Sequence, residues 1–373
     1  MAQRVRNTTQ NHIRNQENVG LLPGKGVDVG APVQKTNVKR SALTVIQNRN
    51  DKLPLSTVVS KNKPSAIQSK PSSSKLSQPV ATAPVKPSTR DLEGVEDIDK
   101  DDKNDPYLLS EYVNDIYDYL RSLELQYPIR ENYLQGQEVT SRMRSVLIDW
   151  LVDVHQQFHL LLETLYLTVA IIDRYLQEVN TTTRKKLQLV GVGSMFVACK
   201  YEEMFSPEVG DFVYICDNAY TKEEILSMEK NIIRTLNFNL SRPLPIHFLR
   251  RYSKAAHAQS VNHAMAKYIL ELSLIDYELC HISPSLISAA SLYLGLWLYN
   301  TEKKAVWTKT LVHYSTYSFS DLKPIVKKLA SILVQIGMSK CQAVPKKYSQ
   351  SKMLKISTAP ELKMASLRKL ASS

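Results

Sequence analysis

The sequence predicts an all-α protein. It should hold two tandem units of about five helices each, preceded by one extra helix and a long basic N-terminal region expected to be disordered. Three observations carry this expectation. From Asp105 onward apolar residues recur at helical spacing, with no convincing strand alternation. That part of the chain repeats itself at an offset of 97 residues. And no aromatic residue occurs before Tyr107, so the leader lacks the side chains that build a core.

The N-terminal region, taken as residues 1–104, is rich in Pro, Ser, Thr, Asn, Gln and Lys, as in KNKPSAIQSKPSSSKLSQP. It cannot bury enough apolar surface to offset chain entropy. Residues 1–90 hold 15 Lys and Arg against 3 Asp and Glu, and residues 340–373 hold 8 against 1. The net charge of +12 therefore sits at the two ends, and the stretch between them is mildly acidic. A basic leader fits a nucleic-acid or import-factor ligand, or a solvated segment with no partner. The start MAQRVRNTTQNH lacks the apolar run of a secretory signal. The apolar run Leu286 to Tyr299 is too short to span a bilayer. Cys199, Cys216, Cys280 and Cys341 are widely spaced without metal-ligand spacing, and read as reduced packing residues. No metal, cofactor or membrane is expected, and the chain reads as a soluble cytosolic or nuclear protein.

The extra helix is marked by Tyr112, Val113, Ile116, Tyr117, Leu120 and Leu123. The first unit opens on MRSVLIDWLVDVHQQF, residues 143–158, where Met143, Val146, Leu147, Trp150, Leu151, Val154 and Phe158 form one apolar stripe. Ile148 and Val152 lie on the other side, so this helix is either deeply buried or presents a docking surface. Breaks are expected at Pro128, 180–183, Pro207, 243–245, Pro284 and Gly337. Residues 241–340 should form the second unit and 341–373 a C-terminal tail. At the 97-residue offset, Ile225, Met228, Ile232 and Leu236 match Leu322, Ile325, Leu329 and Leu333. Thr221-x-x-Glu224 is a capping box and Ser318-x-x-Asp321 its weaker analogue, so both segments should start a helix at the same point. Ser194 and Ala198 meet Ser291 and Gly295, which marks the third helix of each unit as the one closely surrounded. A third match pairs IIDRYL (171–176) with LIDYEL (274–279) at an offset of 103.

MRSVLIDWLVDVH, LYLTVAIIDRYL, ACKYEEMFSPEV, DFVYICDNAYTKEEILSMEKNI and LNFNLSRPLPIHFLRR resemble the cyclin family. RPLPIHFLRR and the tail run KKYSQSKMLKISTAPEL favour its mitotic B type. The resemblance covers roughly residues 105–365. It implies two cyclin-box domains and a non-enzymatic protein that binds and activates a mitotic cyclin-dependent kinase at the G2/M transition. No Gly-rich phosphate loop, HRD, DFG or HExxH competes with that. Duplicated helical folds also occur in DNA-binding factors of the TFIIB kind. Their folded part should be basic, and here it is acidic, so no nucleic-acid partner is expected. A transcriptional cyclin fits the B-type motifs less well.

The resemblance assigns kinase binding to Lys200 and Glu229, with apolar support from Tyr201, Phe238, Tyr112 and Ile116. Without the motifs, the two charges would read as ordinary surface residues. Met143, Val146, Leu147 and Trp150, with Leu187 and Gln188, match a patch that docks Arg-x-Leu segments of substrates or inhibitors. Asp153 would attract the arginine, and plain core packing is the alternative. Arg144 and Asp173 should form a structural ion pair. Arg250, His263 and Lys267 are a B-type candidate phosphate site; alternatively Arg250 pairs with Asp276. In the leader, Arg40, Leu43 and Asn48 resemble a destruction box for the anaphase-promoting ubiquitin ligase. B-type cyclins move between cytoplasm and nucleus, and the same is expected here.

Overall fold

In the computed structural model the described residues are 93–300 and 305–372. Arg40, Leu43 and Asn48 lie outside them. No strand occurs among the described residues. The first unit comprises α2 (Ser141–Gln157), α3 (Leu162–Glu178), α4 (Leu187–Glu202), α5 (Val209–Ile215) and α6 (Lys222–Thr235). The second comprises α7 (Pro245–Ala255), α8 (Ser260–Ile275), α9 (Pro284–Leu298), α10 (Lys309–Ser315) and α11 (Phe319–Gln335). Ahead of them stands α1 (Val113–Gln126), and after them α12 (Ala343–Tyr348) and α13 (Ala365–Ser372).

The duplication is carried by helix starts. α4 and α9 begin 97 residues apart, as do α6 and α11. Both capping boxes form: Thr221 with Glu224, and Ser318 with Asp321. Each satisfies two backbone N–H groups that an uncapped first turn would leave orphaned. α4 and α9 are the central helices. Every residue from Leu187 to Cys199 is buried. On α9, a methyl group at Gly295 would stand 3.0 Å from the Asn262 carbonyl oxygen of α8, so a side chain there would press the α8 backbone away by a few tenths of an ångström. At Gly191 a methyl would meet Leu147 Cδ1 at 2.8 Å, and at Gly193 the Met228 side chain of α6.

The third sequence match does not join equivalent positions. IIDRYL lies inside α3, whereas LIDYEL runs past the end of α8 into a 3-10 turn, Tyr277–Leu279. Asp276 accepts from the Glu278 N–H there and faces Lys328, so it caps a turn and does not repeat the role of Asp173.

Residues before 105 also belong to the folded body. Ile98 and Asp99 are buried, and Asp99 takes a bidentate pair from Arg251 of α7 at 2.6 Å to each oxygen. These residues fall in the stretch 1–104 expected to be disordered; their cationic partners lie about 150 residues further along the chain. α1 precedes the first unit in sequence yet packs on the second. Tyr117 donates to the His247 carbonyl at 3.0 Å, and Glu124 accepts the Ser285 N–H at the start of α9 at 3.0 Å. The C-terminal segment is likewise part of the folded body. α12 packs on α2 and α8, and α13 on α11 with Leu367 fully buried.

Candidate functional site

Arg144 and Asp173 meet at 2.6 and 2.7 Å in a bidentate pair between α2 and α3, both fully buried. Burial opposes the Arg144 charge, but Asp173 outweighs it and raises the guanidinium pKa. Tyr133 donates to the same carboxylate at 2.7 Å. Arg144 also donates to the Leu274 carbonyl at 2.9 Å, and its neighbour Ser145 to Ile275 at 2.7 Å. The pair thus braces the first unit against the second.

On the far side of α4, Lys200 Nζ lies 2.7 Å from Glu229 of α6 and 4.1 Å from the centre of the Phe196 ring. Both charges are partly hydrated, in contrast to the Arg144 pair. Large apolar side chains stand exposed on this unit and on α1. Phe238 is 76 % exposed, Tyr112 59 %, and Tyr201 and Ile116 somewhat less. Phe238 and Asn237 both have positive φ, +57° and +50°. Such a conformation is unfavourable for a bulky side chain and persists only where neighbours enforce it. Here the Phe238 N–H donates to the Ile233 carbonyl at 2.9 Å, and Asn239 bonds Tyr127 at the end of α1. Arg174 stacks on the Tyr127 ring and donates to the Asn239 carbonyl at 2.8 Å. The Phe238 corner is therefore tied to the end of α1, whose outer stripe runs back through Ile116 to Tyr112.

Sequence reading missed Tyr119, which extends that stripe at helical spacing from Tyr112 and Ile116, and Met204 and Phe205, which follow α4. Phe205 is 85 % exposed. The signal was legible: Met-Phe-Ser-Pro is an apolar pair just before a proline, where the helix cannot continue to bury it. Glu203 was missed too. It accepts the Leu161 N–H at 2.7 Å and so caps the start of α3.

The expected docking patch divides. Met143, Val146 and Trp150 are half-exposed on α2. Leu147, Leu187 and Gln188 are buried, so they form the floor and not the surface. Gly191 is the physical reason, because its missing side chain lets Leu147 sink against α4. Asp153 is half-buried, and burial raises its pKa against the pull of Lys346 from α12. Nearby, Asp149 accepts the Ala343 N–H at 2.9 Å, so the C-terminal segment lies beside this patch.

Arg250, His263 and Lys267 come together at the junction of the units. Arg250 does not pair with Asp276; it meets Glu163 of α3 at 2.6 Å. Glu163 lies near Arg250 because α3 packs on α7, a contact no local pattern announces. His263 Nδ1 lies 2.8 Å from Ser253 Oγ. Burial, with Lys267 and Arg250 alongside, pushes its pKa down to about 3, so the ring is neutral. The four cysteines are unbridged, and burial raises all four thiols.

Two tandem five-helix units, joined across a buried arginine–aspartate pair, are the frame in which these side chains sit. The Cyclin, N-terminal domain family matches residues 115–241 and the Cyclin, C-terminal domain family residues 243–362, and the chain belongs to the cyclin family. Its similarity is to the mitotic B type. It is 51 % identical over 324 residues to G2/mitotic-specific cyclin-B of Spisula solidissima, covering 85 % of this chain and 74 % of that one. It is 48 % identical over 355 residues to G2/mitotic-specific cyclin-B2 of Oryzias javanicus, covering 89 % and 91 %. A viral cyclin from herpesvirus saimiri shares the fold, with a TM-score of 0.53 at 23 % identity over 61 % of this chain and 99 % of that one. The chain is a B-type cyclin with a regulatory role in mitosis.

Proposed function

We propose that the chain is the non-catalytic subunit of a mitotic cyclin-dependent kinase, and that it binds and activates the kinase through the Lys200–Glu229 face. The observation that carries this is a difference between the units. At the 97-residue offset Glu229 corresponds to Val326, which is buried, and α11 is covered by α13 of the same chain. α6 has no such cover among the described residues, and Phe238, just beyond its end, and Tyr201, next to Lys200, stand exposed. A stable interface of on the order of 2,000 Å² would bury this surface, with Lys200 and Glu229 turning to polar groups of the partner.

Kinase pulldown with Lys200→Ala plus Glu229→Ala tests the assignment. Binding should be lost while helical circular dichroism stays intact; full retention of binding would remove the pair from the interface.

On the same reading, Met143, Val146 and Trp150 dock Arg-x-Leu segments, with Asp153 meeting the arginine. Arg250, His263 and Lys267 take a phosphate of a phosphorylated partner. Arg40, Leu43 and Asn48 deliver the chain to the anaphase-promoting ligase. Arg40→Ala with Leu43→Ala should lengthen its lifetime at mitotic exit, and an unchanged half-life would reduce that motif to coincidence.

A further inference from the structure

α8 carries more than the candidate phosphate site. His263, Lys267 and Glu271 are spaced four residues apart, so they form one row along the helix. The row spans roughly 12 Å at 1.5 Å per residue. Glu271 at its end is where the C-terminal segment crosses. Lys347 of α12 pairs with it at 2.6 Å, and Tyr348 donates to its other oxygen at 2.9 Å, all three buried. Glu271 is thus occupied and lends no negative charge to the surface. Glu163, the other carboxylate of the region, is held by Arg250.

Directly after α12 the chain makes a tight loop. Its backbone is closed by the Gln350 carbonyl, which accepts from Met353 and Lys355 at 3.0 and 3.2 Å. Leu354 and Lys355 both have positive φ, +54° and +52°. Two successive non-glycine residues in this region are held only where the surroundings over-determine them. Here Ile356 is buried, Ser357 Oγ donates to the Pro345 carbonyl at 2.7 Å, and Gln350 reaches Gln156 of α2. The loop is fixed to the body and presents Lys352 and Lys355 outward. Among the described residues no carboxylate pairs with either lysine. Burial lowers the Lys347 pKa, and the charges of Lys267 and Lys352 add to that depression against the pull of Glu271. Ile356–Thr358, directly after the loop, packs on α8, so the loop lies beside the helix that carries Lys267.

We propose that the loop 350–355 extends the phosphate site into a basic surface for an acidic or multiply phosphorylated polypeptide segment, on which Arg250, His263 and Lys267 hold one phosphate and Lys352 and Lys355 hold a second anionic residue of the same segment. The proposal rests on the phosphate reading above. An extended peptide advances about 3.3 Å per residue, so four to six residues reach roughly 13–20 Å beyond the first anion. His263 contributes as a neutral ring: Nδ1 and Ser253 Oγ share a hydrogen bond at 2.8 Å, and the tautomer protonated at Nε2 donates to the phosphate.

The test is fluorescence anisotropy on the full chain with three labelled phosphoserine peptides, each beside its unphosphorylated serine counterpart. One has neutral flanks, one carries two aspartates four and six residues after the phosphoserine, and one carries them before it. One of the two acidic peptides should bind about tenfold more tightly than the neutral one at low ionic strength, with the gain fading as salt rises. Lys352→Ser with Lys355→Ser should erase that gain and leave the neutral phosphopeptide unaffected. Arg250→Ala with Lys267→Ala should weaken all three. If neither acidic peptide gains, or if the gain survives in the Lys352/Lys355 variant while the Arg250/Lys267 variant loses binding, the extension is wrong and the phosphate site stands. If no peptide binds in a phosphate-dependent way, the phosphate reading fails and the extension with it.

Discussion

The two units of this chain share helix starts, capping boxes and a closely packed third helix, yet they end with opposite surfaces. In the second unit α11 lies under α13, and Val326 is buried. In the first unit the corresponding helix α6 carries Glu229, bridged to Lys200, with Phe238 standing out at a left-handed corner. Trp297 of the second unit occupies the place of Lys200 in the first. One duplicated scaffold has thus been closed internally on one side and left open on the other. The lesson is that a repeat's function lies where the copies disagree, since the shared residues mainly serve packing.

The largest expected effect attacks the brace that only the first unit has. Asp173→Ala leaves Arg144 buried without its counter-charge and should destabilise the protein by about 3–5 kcal/mol. Urea unfolding measures it; a loss below about 1 kcal/mol would mean that water reaches the pair.

A second pair of substitutions contrasts the closed and open faces directly. Leu367→Ala removes the buried anchor of α13 and should cost about 2–4 kcal/mol. Phe238→Ala, at an exposed corner, should cost little stability and chiefly weaken kinase binding. If the two variants lost stability equally, the open face would be ordinary core.

The smallest effect near neutral pH is the titration at the unit junction, which grows only on acidification. Burial lowers the folded pKa of His263 to about 3, below the usual 6.5 of the free side chain. Below pH 6.5 the unfolded chain binds a proton that the folded chain refuses. Stability from this group is therefore full above 6.5 and declines as pH falls toward 3, by at most about 1.4 kcal/mol per unit. His263→Asn should flatten the stability slope between pH 6 and 4 relative to the unsubstituted chain. An identical slope would show that other groups set it.

Much of this was legible in one dimension. Helical period, Thr221 and Ser318 as caps, and the 97-residue repeat depend on neighbours within a few turns, so the pattern of side chains suffices to read them. Local pattern failed where partners are far apart in sequence. Asp99 reads as part of the unfolded leader until Arg251 folds against it, and Asp276 reads like Asp173 until its helix ends first. Leu147 reads as surface in a docking motif, but the gap at Gly191 draws it inward.

The sequence by itself determined the helices, the duplication and the family, because periodicity, capping and motif spacing are properties of the chain. Only the tertiary structure decided which faces stay open. It set α1 against the second unit, turned Arg250 to Glu163, closed α11 with α13 and brought the C-terminal lysines beside α8. Exposure and charge pairing depend on which distant segments pack together, and packing of that range leaves no periodic trace in the residues themselves.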